Sequence, residues 1–379
     1  MRVIHFTGAE VIGGLLHHVR LLAREQVAAG HAVKVIFSTA AAVDREAEAC
    51  AGTGAGVERM AVKGKTDLPG MAALGRLVER ERPEILHFHL SSPIEAIPAI
   101  MAAKVAGARH IVTTEHAPTW FPLEKPYSRA AKMAAGRFVD RVIAVCRSDA
   151  RFLQERFGVP EKRIAVILNG VAAPDAIEPR DAARARLGLP LDASPLVGFL
   201  GALEEKKGVL DLLEGAALAG LPALALAMAG EGPLGGALRE RAGKLGLRLI
   251  LPGRIEKVEP FLASLDVFAL PSHQEAMPLS LLQAMWTGLP VVASRVGGIP
   301  EAIEEGVSGL LIEAGRPDQI AGALGRLHAS PALAARLGEG ARAAASAGFS
   351  SARMAREVEA LYREVVLGSA GQGAAPGPA

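Results

Sequence analysis

Residues 266–303 read DVFALPSHQEAMPLSLLQAMWTGLPVVASRVGGIPEAI, and this stretch decides the fold. Val267–Leu270 and Val291–Ala293 are short, continuously apolar runs, whereas Leu279–Trp286 between them has the spacing of an amphipathic helix. Strands without polar alternation are typical of a parallel sheet that is covered by helices on both faces. The stretch therefore predicts a strand–helix–strand unit of an α/β domain.

The same alternation of apolar runs and helical stretches continues in both directions along the chain. Further strands are predicted, in chain order, at Val3–Phe6, Val33–Phe37, Ile85–Phe88, Ile111–Thr113, Val142–Val145, Leu196–Leu200, Ala223–Met228 and Leu249–Leu251. Further helices are predicted at Gly13–Ala29, Pro93–Val105, Pro126–Phe138, Gly208–Leu218, Leu234–Leu245 and Ser350–Val366. We infer an α/β protein of two Rossmann-like, doubly wound domains that face a central cleft.

The domain boundary is predicted where the alternation breaks. The chain of 379 residues is too long for one hydrophobic core, and Asn169–Pro190 carries three prolines and scattered charges. We predict, in order, an N-terminal domain over 1–170, a linker with a short helix over 171–190, a C-terminal domain over 191–348, a helix over 349–368 that packs back toward the N-terminal domain, and a disordered tail over 369–379.

The composition excludes several classes of function. Half of the residues are hydrophobic, 22% are charged and the net charge is +2, which is typical of a soluble globular protein without a nucleic-acid partner. Cys50 and Cys146 cannot form a disulfide framework or a cysteine zinc site. The first residues lack the apolar core of a signal peptide, and the run Leu221–Ala229 is too short to cross a bilayer. We therefore expect a cytoplasmic protein.

Ligands of open α/β sheets bind beyond the carboxyl ends of the strands, so binding residues are expected in the loops that follow strands. Gly13 and Gly14 end the first such loop and open a helix, where backbone amides favour an anion. An ordinary strand-to-helix turn explains this pair equally well. Lys207 stands at the start of a predicted helix, where a cation opposes the helix dipole unless it meets an anion such as a phosphate. Taken alone, a solvated lysine turn is the simpler interpretation.

Glu275 and Gln283 form a second pair of candidate binding residues. Glu275 follows the strand Val267–Leu270, and Gln283 lies eight residues further on, inside the next helix. The two side chains can reach two hydroxyl-bearing parts of one ligand, while the amides at the start of the helix suit an anion. A buried acceptor without metal ligands beside it favours hydroxyl donors, which indicates a sugar.

Several segments resemble the C-terminal domain of the retaining glycosyltransferases of family four, which have the GT-B fold. These segments are VGFLGALEEKKGV, MAGEGPLGGAL, the whole of residues 266–303, and EEGVSGLLIE. The N-terminal half matches more loosely, through Gly13-Gly14, GHAVKVI, RPEILHFH, TTEH and VILNGV. The resemblance covers nearly the whole chain except the tail. It implies an enzyme that moves a sugar from a nucleotide-sugar donor to a glycan or lipid-linked acceptor with retained configuration.

The resemblance also implies roles for matching positions. Lys207 falls on the lysine that binds the donor diphosphate, Glu275 on the glutamate that contacts the donor sugar, and Gln283 on the glutamate that binds the ribose hydroxyls. His116 falls on the histidine near the reacting sugar, so His116, Lys207 and Glu275 are the implied catalytic residues. The implied donor site further includes Gly13, Gly14, Arg254, Ile255, Met277, Pro278 and Leu279, and we assign His89 and Trp120 to the acceptor side.

Two positions depart from the family pattern. Ala202 stands where the family has an arginine that pairs with the lysine, and loss of a cationic donor to a leaving phosphate costs on the order of 10²-fold in rate. Lys206 and Arg295 are the candidate substitutes. Gln283 replaces a glutamate, and its amide accepts one hydrogen bond and donates another, which alters donor preference. A GT-B protein that binds nucleotide sugars with weakened catalysis is therefore the second hypothesis.

Glycosyl transfer requires that the growing charge on the departing nucleoside diphosphate be stabilised, and Lys207 with helix amides can do this. Because the sequence has no D-x-D pair, we predict metal-independent transfer, no metal site and no cofactor. In a front-face mechanism the departing phosphate accepts the acceptor's proton, so His116 would position the donor sugar. Without the resemblance, a packed strand-end histidine is the simpler interpretation of His116.

The other histidines receive less specific predictions. His87 and His89 flank Phe88 on one strand and share a face, and two histidines alone make a poor metal site. We therefore predict that His87 packs in the core and that His89 lines the cleft. His17 and His18 are predicted to be polar groups at the surface or in the cleft.

An NAD(P)-binding enzyme is the remaining alternative, because Gly230, Gly232 and Gly235 match the dinucleotide fingerprint after a strand. These glycines follow the second strand of the predicted domain, and the next strand ends without the ribose-binding acid. Pro233 suits the first position of a helix and explains part of the motif. Serine-hydrolase chemistry has no G-x-S-x-G motif to support it.

Residues 117–156 combine aromatic and cationic side chains. They carry Trp120, Phe121 and Tyr127 near Lys125, Arg129, Lys132, Arg137 and Arg141. This mixture suits the surface of a bilayer with anionic lipid, although a solvated helix with a few packed aromatics explains it equally well. Docking would place the protein on the inner face of the membrane and favour a lipid-linked acceptor in cell-envelope polysaccharide synthesis. UDP is the expected nucleotide, from the habit of the family.

Overall fold

The computed structural model describes residues 1–10, 13–60, 67–92, 94–118 and 127–370, which divide into two compact units. Unit 1 contains Met1–Gly170 together with the chain from Ser351 onward, and unit 2 contains Val171–Ser350. Each unit has one sheet, and every strand pair within it is parallel. The predicted α/β class with two parallel-sheet domains is confirmed.

The described part of unit 1 has a seven-stranded sheet. Its strands are β1 (Arg2–Thr7), β2 (Ala32–Phe37), β3 (Gly56–Arg59), β4 (Ile85–Leu90), β5 (His110–Glu115), β6 (Arg141–Ala144) and β7 (Ile164–Val166), in the order β3-β2-β1-β4-β5-β6-β7. Its helices are α1 (Gly14–Ala28), α2 (Asp44–Ala51), α3 (Leu68–Glu81), α4 (Ile97–Val105), α5 (Tyr127–Gly136) and α6 (Arg147–Phe157). The predicted helix from Pro93 begins later, at Ile97, because Pro98 occupies the first turn, where a missing N–H is tolerated.

Unit 2 has a six-stranded sheet. Its strands are β8 (Leu196–Leu200), β9 (Ala225–Ala229), β10 (Arg248–Gly253), β11 (Val267–Leu270), β12 (Val291–Ser294) and β13 (Leu310–Ile312), in the order β10-β9-β8-β11-β12-β13. Its helices are α7 (Arg180–Leu187), α8 (Val209–Ala219), α9 (Gly235–Leu245), α10 (Val258–Ala263), α11 (Leu279–Thr287), α12 (Ile299–Ala302), α13 (Pro317–Ala329) and α14 (Pro331–Gly348). This is the doubly wound order, and it reverses between β8 and β11.

Helix α7 belongs to the segment that the sequence marks as a linker, and it is fastened to unit 2. Arg184 is only 2% exposed in its side chain and lies 2.7 Å from a carboxylate oxygen of Asp266. Its guanidinium also donates to the carbonyls of Ser264 at 2.8 Å and Ala193 at 3.1 Å. A buried guanidinium is stable only when its donors are satisfied in this way.

The final helix of the described chain, α15 (Ser351–Ala370), packs on the sheet of unit 1. Met354, Val358 and Tyr362 on this helix share a buried cluster with Val3 of β1. Ile4, the next residue of β1, belongs to a different buried cluster, which includes residues of α3 and α4. Since successive side chains of a strand point to opposite faces, both faces of the sheet are covered. The helix ends two residues later than predicted, and the rest of the predicted tail lies outside the described residues.

A pair of glycines in unit 2 allows the steric fit of its loops to be tested. Gly208 and Gly220 have φ of +63° and +61°, and an alanine at either position carries the same left-handed strain of roughly 1–2 kcal/mol. An added Cβ at Gly208 would lie 2.1 Å from the carbonyl oxygen of Pro271, whereas one at Gly220 meets nothing within 4 Å. We expect Gly208→Ala to lower the free energy of unfolding by about 1–3 kcal/mol more than Gly220→Ala.

Chemical denaturation of the wild type and the two variants measures this difference. Equal losses in the two variants would show that the Pro271 loop moves aside without cost.

Candidate functional site

Lys207 and Glu275 lie in the loops that follow β8 and β11, the neighbouring strands between which the strand order of unit 2 reverses. Open α/β sheets bind ligands at this switch point. The ammonium Nζ of Lys207 donates to Oε1 of Glu275 at 2.7 Å across 68 residues of sequence. The two side chains are only 14% and 4% exposed. The fold therefore brings two predicted site residues into one buried ion pair.

The carboxylate of Glu275 is held by more than the lysine. The hydroxyl Oγ of Ser272 donates to the same Oε1 at 2.8 Å. Lys207 itself lies in a single 3-10 turn, Glu205–Lys207, and α8 begins only after Gly208. The predicted helix over Gly208–Leu218 is thus found at Val209–Ala219, with Lys207 directly before its N-cap residue, Gly208. The lysine does meet an anion, and that anion is a carboxylate of the same chain.

Backbone contacts clamp the Glu275 loop from two sides. An added Cβ at Gly208 would meet the carbonyl of Pro271, and one at Gly297, whose φ is +56°, would lie 1.8 Å from the carbonyl oxygen of Glu275. The N–H of Gly298 donates to the carbonyl of Ala276 at 2.7 Å, next to that contact. Glycine is required at both positions because neither the backbone angle nor the space admits a side chain.

His273 ties the same loop to the neighbouring helix, and the sequence does not reveal this contact. Its N–H donates to the carbonyl of Lys206 at 2.8 Å, and its ring Nε2 lies 2.5 Å from Oδ2 of Asp211 on α8. Histidine and aspartate are 62 residues apart, so only the packing of α8 beside the loop brings them together.

The other predicted donor residues occupy the same edge of the sheet. Met277 and Leu279 are buried, and Pro278 immediately precedes α11. Gln283 is half-buried on α11, and Arg254 and Ile255 directly follow β10. Since all strands of this sheet are parallel, the loops after them emerge at one edge. The structure thus places the predicted donor residues of unit 2 on the side where such sheets bind ligands.

The two candidate substitutes for the missing arginine are engaged elsewhere. The ammonium of Lys206 lies 2.8 Å from a carboxylate oxygen of Glu204. The guanidinium of Arg295 lies 3.7 Å from Glu305 and 3.5 Å from Glu313. Both cations therefore already face carboxylates, and Ala202 carries no cation of its own.

Two of the three glycines of the dinucleotide-like motif, Gly230 and Gly232, are explained by close backbone packing. An added Cβ at Gly230 would lie 1.8 Å from the carbonyl oxygen of Gly201, and one at Gly232 would lie 2.4 Å from that of Leu203. The N–H of Gly230 donates to the carbonyl of Gly253 at 2.8 Å. The motif therefore lets the loops after β8, β9 and β10 approach one another.

Unit 1 has its own cluster of polar side chains. It consists of five histidines that lie on β1 and β4, directly after β5 and on α1, namely His5, His18, His87, His89 and His116, whose neighbouring rings have centroids 4.2–5.6 Å apart. His116 directly follows β5 and is half-buried, whereas the other four are buried. His18 was expected at the surface or in the cleft, and the expectation of a surface position is wrong: its side of α1 also carries buried Val19 and Leu22, which pack inward.

Burial determines the charge of these rings. Desolvation lowers the pKa of His5 and of His18 to about 4, although hydrogen bonds from the rings to Gln26 and Asn169 act in the other direction. Desolvation also holds the pKa of His87, His89 and His116 well below the usual 6.5. The rings are therefore neutral near pH 7, so His116 can make hydrogen bonds through its nitrogens but carries no positive charge.

Gly13 and Gly14 lie at the start of α1, in the unit that carries the histidines. Both are exposed, and an added Cβ at Gly13 meets nothing within 4 Å. Gly13 has φ −165°, which is extended backbone, so no backbone angle requires a glycine there. The open space above Gly13 is compatible with an approaching ligand.

The predicted membrane-facing stretch is described only in part. Trp120, Phe121 and Lys125 lie outside the described residues. Lys132, counted among its surface cations, is buried and pairs with Glu115, because α5 packs this side chain inward. Arg141 pairs with Glu364. Within the described residues, no helix has both the length and the apolar character needed to cross a membrane.

Two family models match the chain. The Glycosyltransferase Family 4 model matches residues 12–173, and the Glycosyl transferases group 1 model matches residues 194–330. The D-inositol 3-phosphate glycosyltransferase of Geodermatophilus obscurus is 35% identical over 67% of this chain and 60% of that protein. The enzyme of the same name from Thermobispora bispora is 34% identical over 61% of this chain and 59% of that protein. The chain thus spans about six tenths of the length of these curated relatives.

Solved structures share the fold. Alr3699/HepE from Anabaena, in complex with UDP-glucose, superposes with a TM-score of 0.82 at 21% identity, over 96% of this chain and all of that one. Sucrose-phosphate synthase from Thermosynechococcus elongatus superposes with a TM-score of 0.79 at 21% identity, over 97% of this chain and all of that one. Together with the two family models, these likenesses show that the chain belongs to the GT-B glycosyltransferases, with a family 4 region followed by a group 1 region.

Proposed function

We propose that this chain is a retaining glycosyltransferase that moves a sugar from a UDP-linked donor to a glycan or lipid-linked acceptor. The observation that carries the proposal is the buried pair of Lys207 and Glu275 at the switch point of unit 2. The name of the curated relatives supports glycosyl transfer, and the UDP-glucose bound to Alr3699/HepE supports a nucleotide-sugar donor. The packing role of Gly230 and Gly232 argues against a nicotinamide cofactor.

Donor binding would exchange the partners of the ion pair. A diphosphate presents oxygens that can replace the carboxylate as acceptors of the Lys207 ammonium. Oε1 of Glu275 would then accept from hydroxyls of the donor sugar while keeping the hydrogen bond from Ser272. Because both side chains are already buried and oriented, little rotamer freedom is lost on binding.

The transfer itself would need no protein base. The bond between the anomeric carbon and the phosphate oxygen breaks, and its electrons stay on the departing UDP, where Lys207 stabilises the added charge. The acceptor oxygen attacks the same face, and its proton passes to the departing phosphate. The configuration is thereby retained, and the diphosphate leaves without a metal ion.

Unit 1 would bind the acceptor and position the reacting sugar. The neutral ring of His116 would position the donor sugar through a hydrogen bond, and His89 would line the acceptor side. A cytoplasmic enzyme in contact with the inner face of the membrane would meet a lipid-linked acceptor there.

A second candidate, a GT-B protein that binds nucleotide sugars with weakened catalysis, is favoured by one observation. Ala202 supplies no cation, and Lys206 and Arg295 both face carboxylates. Product analysis with UDP-sugars and with glycan, lipid-linked and D-inositol 3-phosphate acceptors separates the two candidates. Turnover supports the transferase, whereas tight donor binding without turnover supports the weakened protein.

The lysine is tested by Lys207→Ala with Lys206→Ala as its matched control. A charge-assisted hydrogen bond contributes about 1.5–3 kcal/mol, so we expect Lys207→Ala to weaken UDP binding at least tenfold. Lys206→Ala removes a half-exposed neighbour that faces Glu204 and should leave affinity nearly unchanged. Isothermal titration with UDP measures both. The double variant Lys207→Ala/Glu275→Gln excludes an effect of the unpaired carboxylate. Similar losses in the two single variants would contradict a specific diphosphate contact.

The carboxylate is tested by Glu275→Gln, which keeps the size of the side chain and an oxygen for Ser272. We expect the affinity for the UDP-sugar to fall at least tenfold while that for UDP is kept or raised, because Lys207 loses its competing partner. Titrations with both ligands measure this split. A parallel loss for UDP and UDP-sugar would show that Glu275 only shapes the loop.

The missing cation is tested by Ala202→Arg against Ala202→Met, which adds bulk without charge. An oriented donor to the departing charge changes turnover on the order of 10²-fold, so we expect Ala202→Arg to raise kcat with the UDP-sugar at least tenfold. Ala202→Met should not raise it. Initial-rate measurements give kcat for both variants. Equal values would show that an arginine at position 202 does not reach the leaving group.

A further inference from the structure

We propose that unit 1 binds a first-row divalent metal ion of the Zn²⁺ class on the imidazole nitrogens of His18, His89 and His116. One ring nitrogen from each of these three lies within 4.8 Å of the other two. They come from α1, from β4 and from the residue after β5. Three imidazoles are a donor set that zinc and neighbouring metals prefer, and they leave one coordination position open.

The hydrogen bond of His18 leaves a lone pair for a metal. Its Nδ1 lies 3.0 Å from the amide oxygen of Asn169, which can only accept, so the ring proton is on Nδ1. Nε2 therefore carries a lone pair, and it is buried without a hydrogen-bond partner among the described residues. A buried acceptor without a partner is costly, and a metal ion would satisfy it.

A second chain of hydrogen bonds leaves one ring nitrogen of His89 with a lone pair for a metal. Nε2 of His5 lies 2.7 Å from the amide oxygen of Gln26 and so carries the proton. Nδ1 of His5 must then accept from Nε2 of His89 at 2.9 Å, which places the proton of His89 on Nε2. Nδ1 of His89 is left with its lone pair on the side of His116. Such outer hydrogen bonds are what select the metal-binding nitrogen of a histidine.

The distance between the nitrogens of His89 and His116 fits a tetrahedral metal site. Nδ1 of His89 and Nε2 of His116 are 3.3 Å apart. Ligand nitrogens at 2.0–2.1 Å from a tetrahedral ion are separated by about 3.3–3.4 Å, so an ion could replace the hydrogen bond between these two rings with little movement of either. His116 is half-buried and gives access to the site.

The neighbouring group His5, His87 and His89 has the same spacing but not the same chemistry. Nδ1 of His87 lies 2.5 Å from the hydroxyl of Tyr362, and its Nε2 lies 2.7 Å from the hydroxyl of Thr114. Both nitrogens of His5 are likewise engaged, with His89 and Gln26. A metal there would break existing hydrogen bonds, so the site is assigned to the group with the unpartnered nitrogen.

The inference does not rest on the proposed function, because it concerns the binding of an ion by unit 1. The ion would hold Nε2 of His116 and leave Nδ1 of that ring for a hydrogen bond with a sugar. The expectation of no metal site rested on the missing D-x-D pair and on His87 and His89, which alone make a poor metal site. Helix α1 supplies His18, the ligand that this expectation lacked.

The test uses the full chain without an affinity tag, stripped with a chelator and then freed of it. Titration with Co²⁺ should give one ion per chain and the intense visible absorption of a four-coordinate site, and Zn²⁺ should displace it. His116→Ala and His18→Ala should each lower the affinity at least tenfold, and Asn169→Ala about 10- to 100-fold through the outer hydrogen bond. His17→Ala is the matched control, because His17 neighbours the site but faces Arg20, and it should bind as the wild type does.

Circular dichroism of each variant establishes that it is folded. Absence of stoichiometric binding by the wild type, or weak six-coordinate absorption, would overturn the proposal whatever the variants do. Binding that folded His116→Ala retains at full strength would also overturn it. Glycosyl transfer is measured separately, so a protein that binds the ion without turnover supports this site and leaves the transferase proposal to its own tests.

Discussion

The buried ion pair between Lys207 and Glu275 is the interaction on which the candidate site of unit 2 depends. Each partner is stable in its place because the other offsets the loss of water, and removing one partner of such a pair commonly costs about 3–5 kcal/mol. The pair joins the two loops on either side of the point where the strand order reverses. A diphosphate is an anion that can replace the carboxylate of Glu275 as the partner of Lys207. The ion pair therefore stabilises the empty site and also prepares it for a donor.

Unit 1 also buries polar side chains, but these side chains are neutral and not an ion pair. Its histidines lie on two strands, directly after a third and on α1, and burial suppresses their charge while amides or hydroxyls fix their protons. The network runs from Gln26 through His5 to His89, while Asn169 orients His18 separately. His89 and His116 lie at or just beyond the carboxyl ends of parallel strands, as Lys207 and Glu275 do in unit 2, and such sheets bind ligands there.

Much of the fold follows from local patterns in the chain. The strands Leu196–Leu200 and Val267–Leu270 are predicted to the residue, because central strands of parallel sheets are continuously apolar. Strand β3, which reads GVER, is absent from the predicted strands, because an edge strand is short and partly charged. Helix α14 is absent from the predicted helices, because its alanines and glycines give little contrast between an apolar and a polar face.

By itself, the sequence determined the α/β class, the two parallel sheets and the positions of Lys207, Glu275 and His116 after their strands. Only the tertiary structure decided what these side chains contact. The lysine meets Glu275 across 68 residues, and His18 meets Asn169 across 151. Periodicity reports which face of an element is apolar, but it cannot report which distant element covers that face. Partners, burial and the protonation that follows from burial are therefore properties of the packed units.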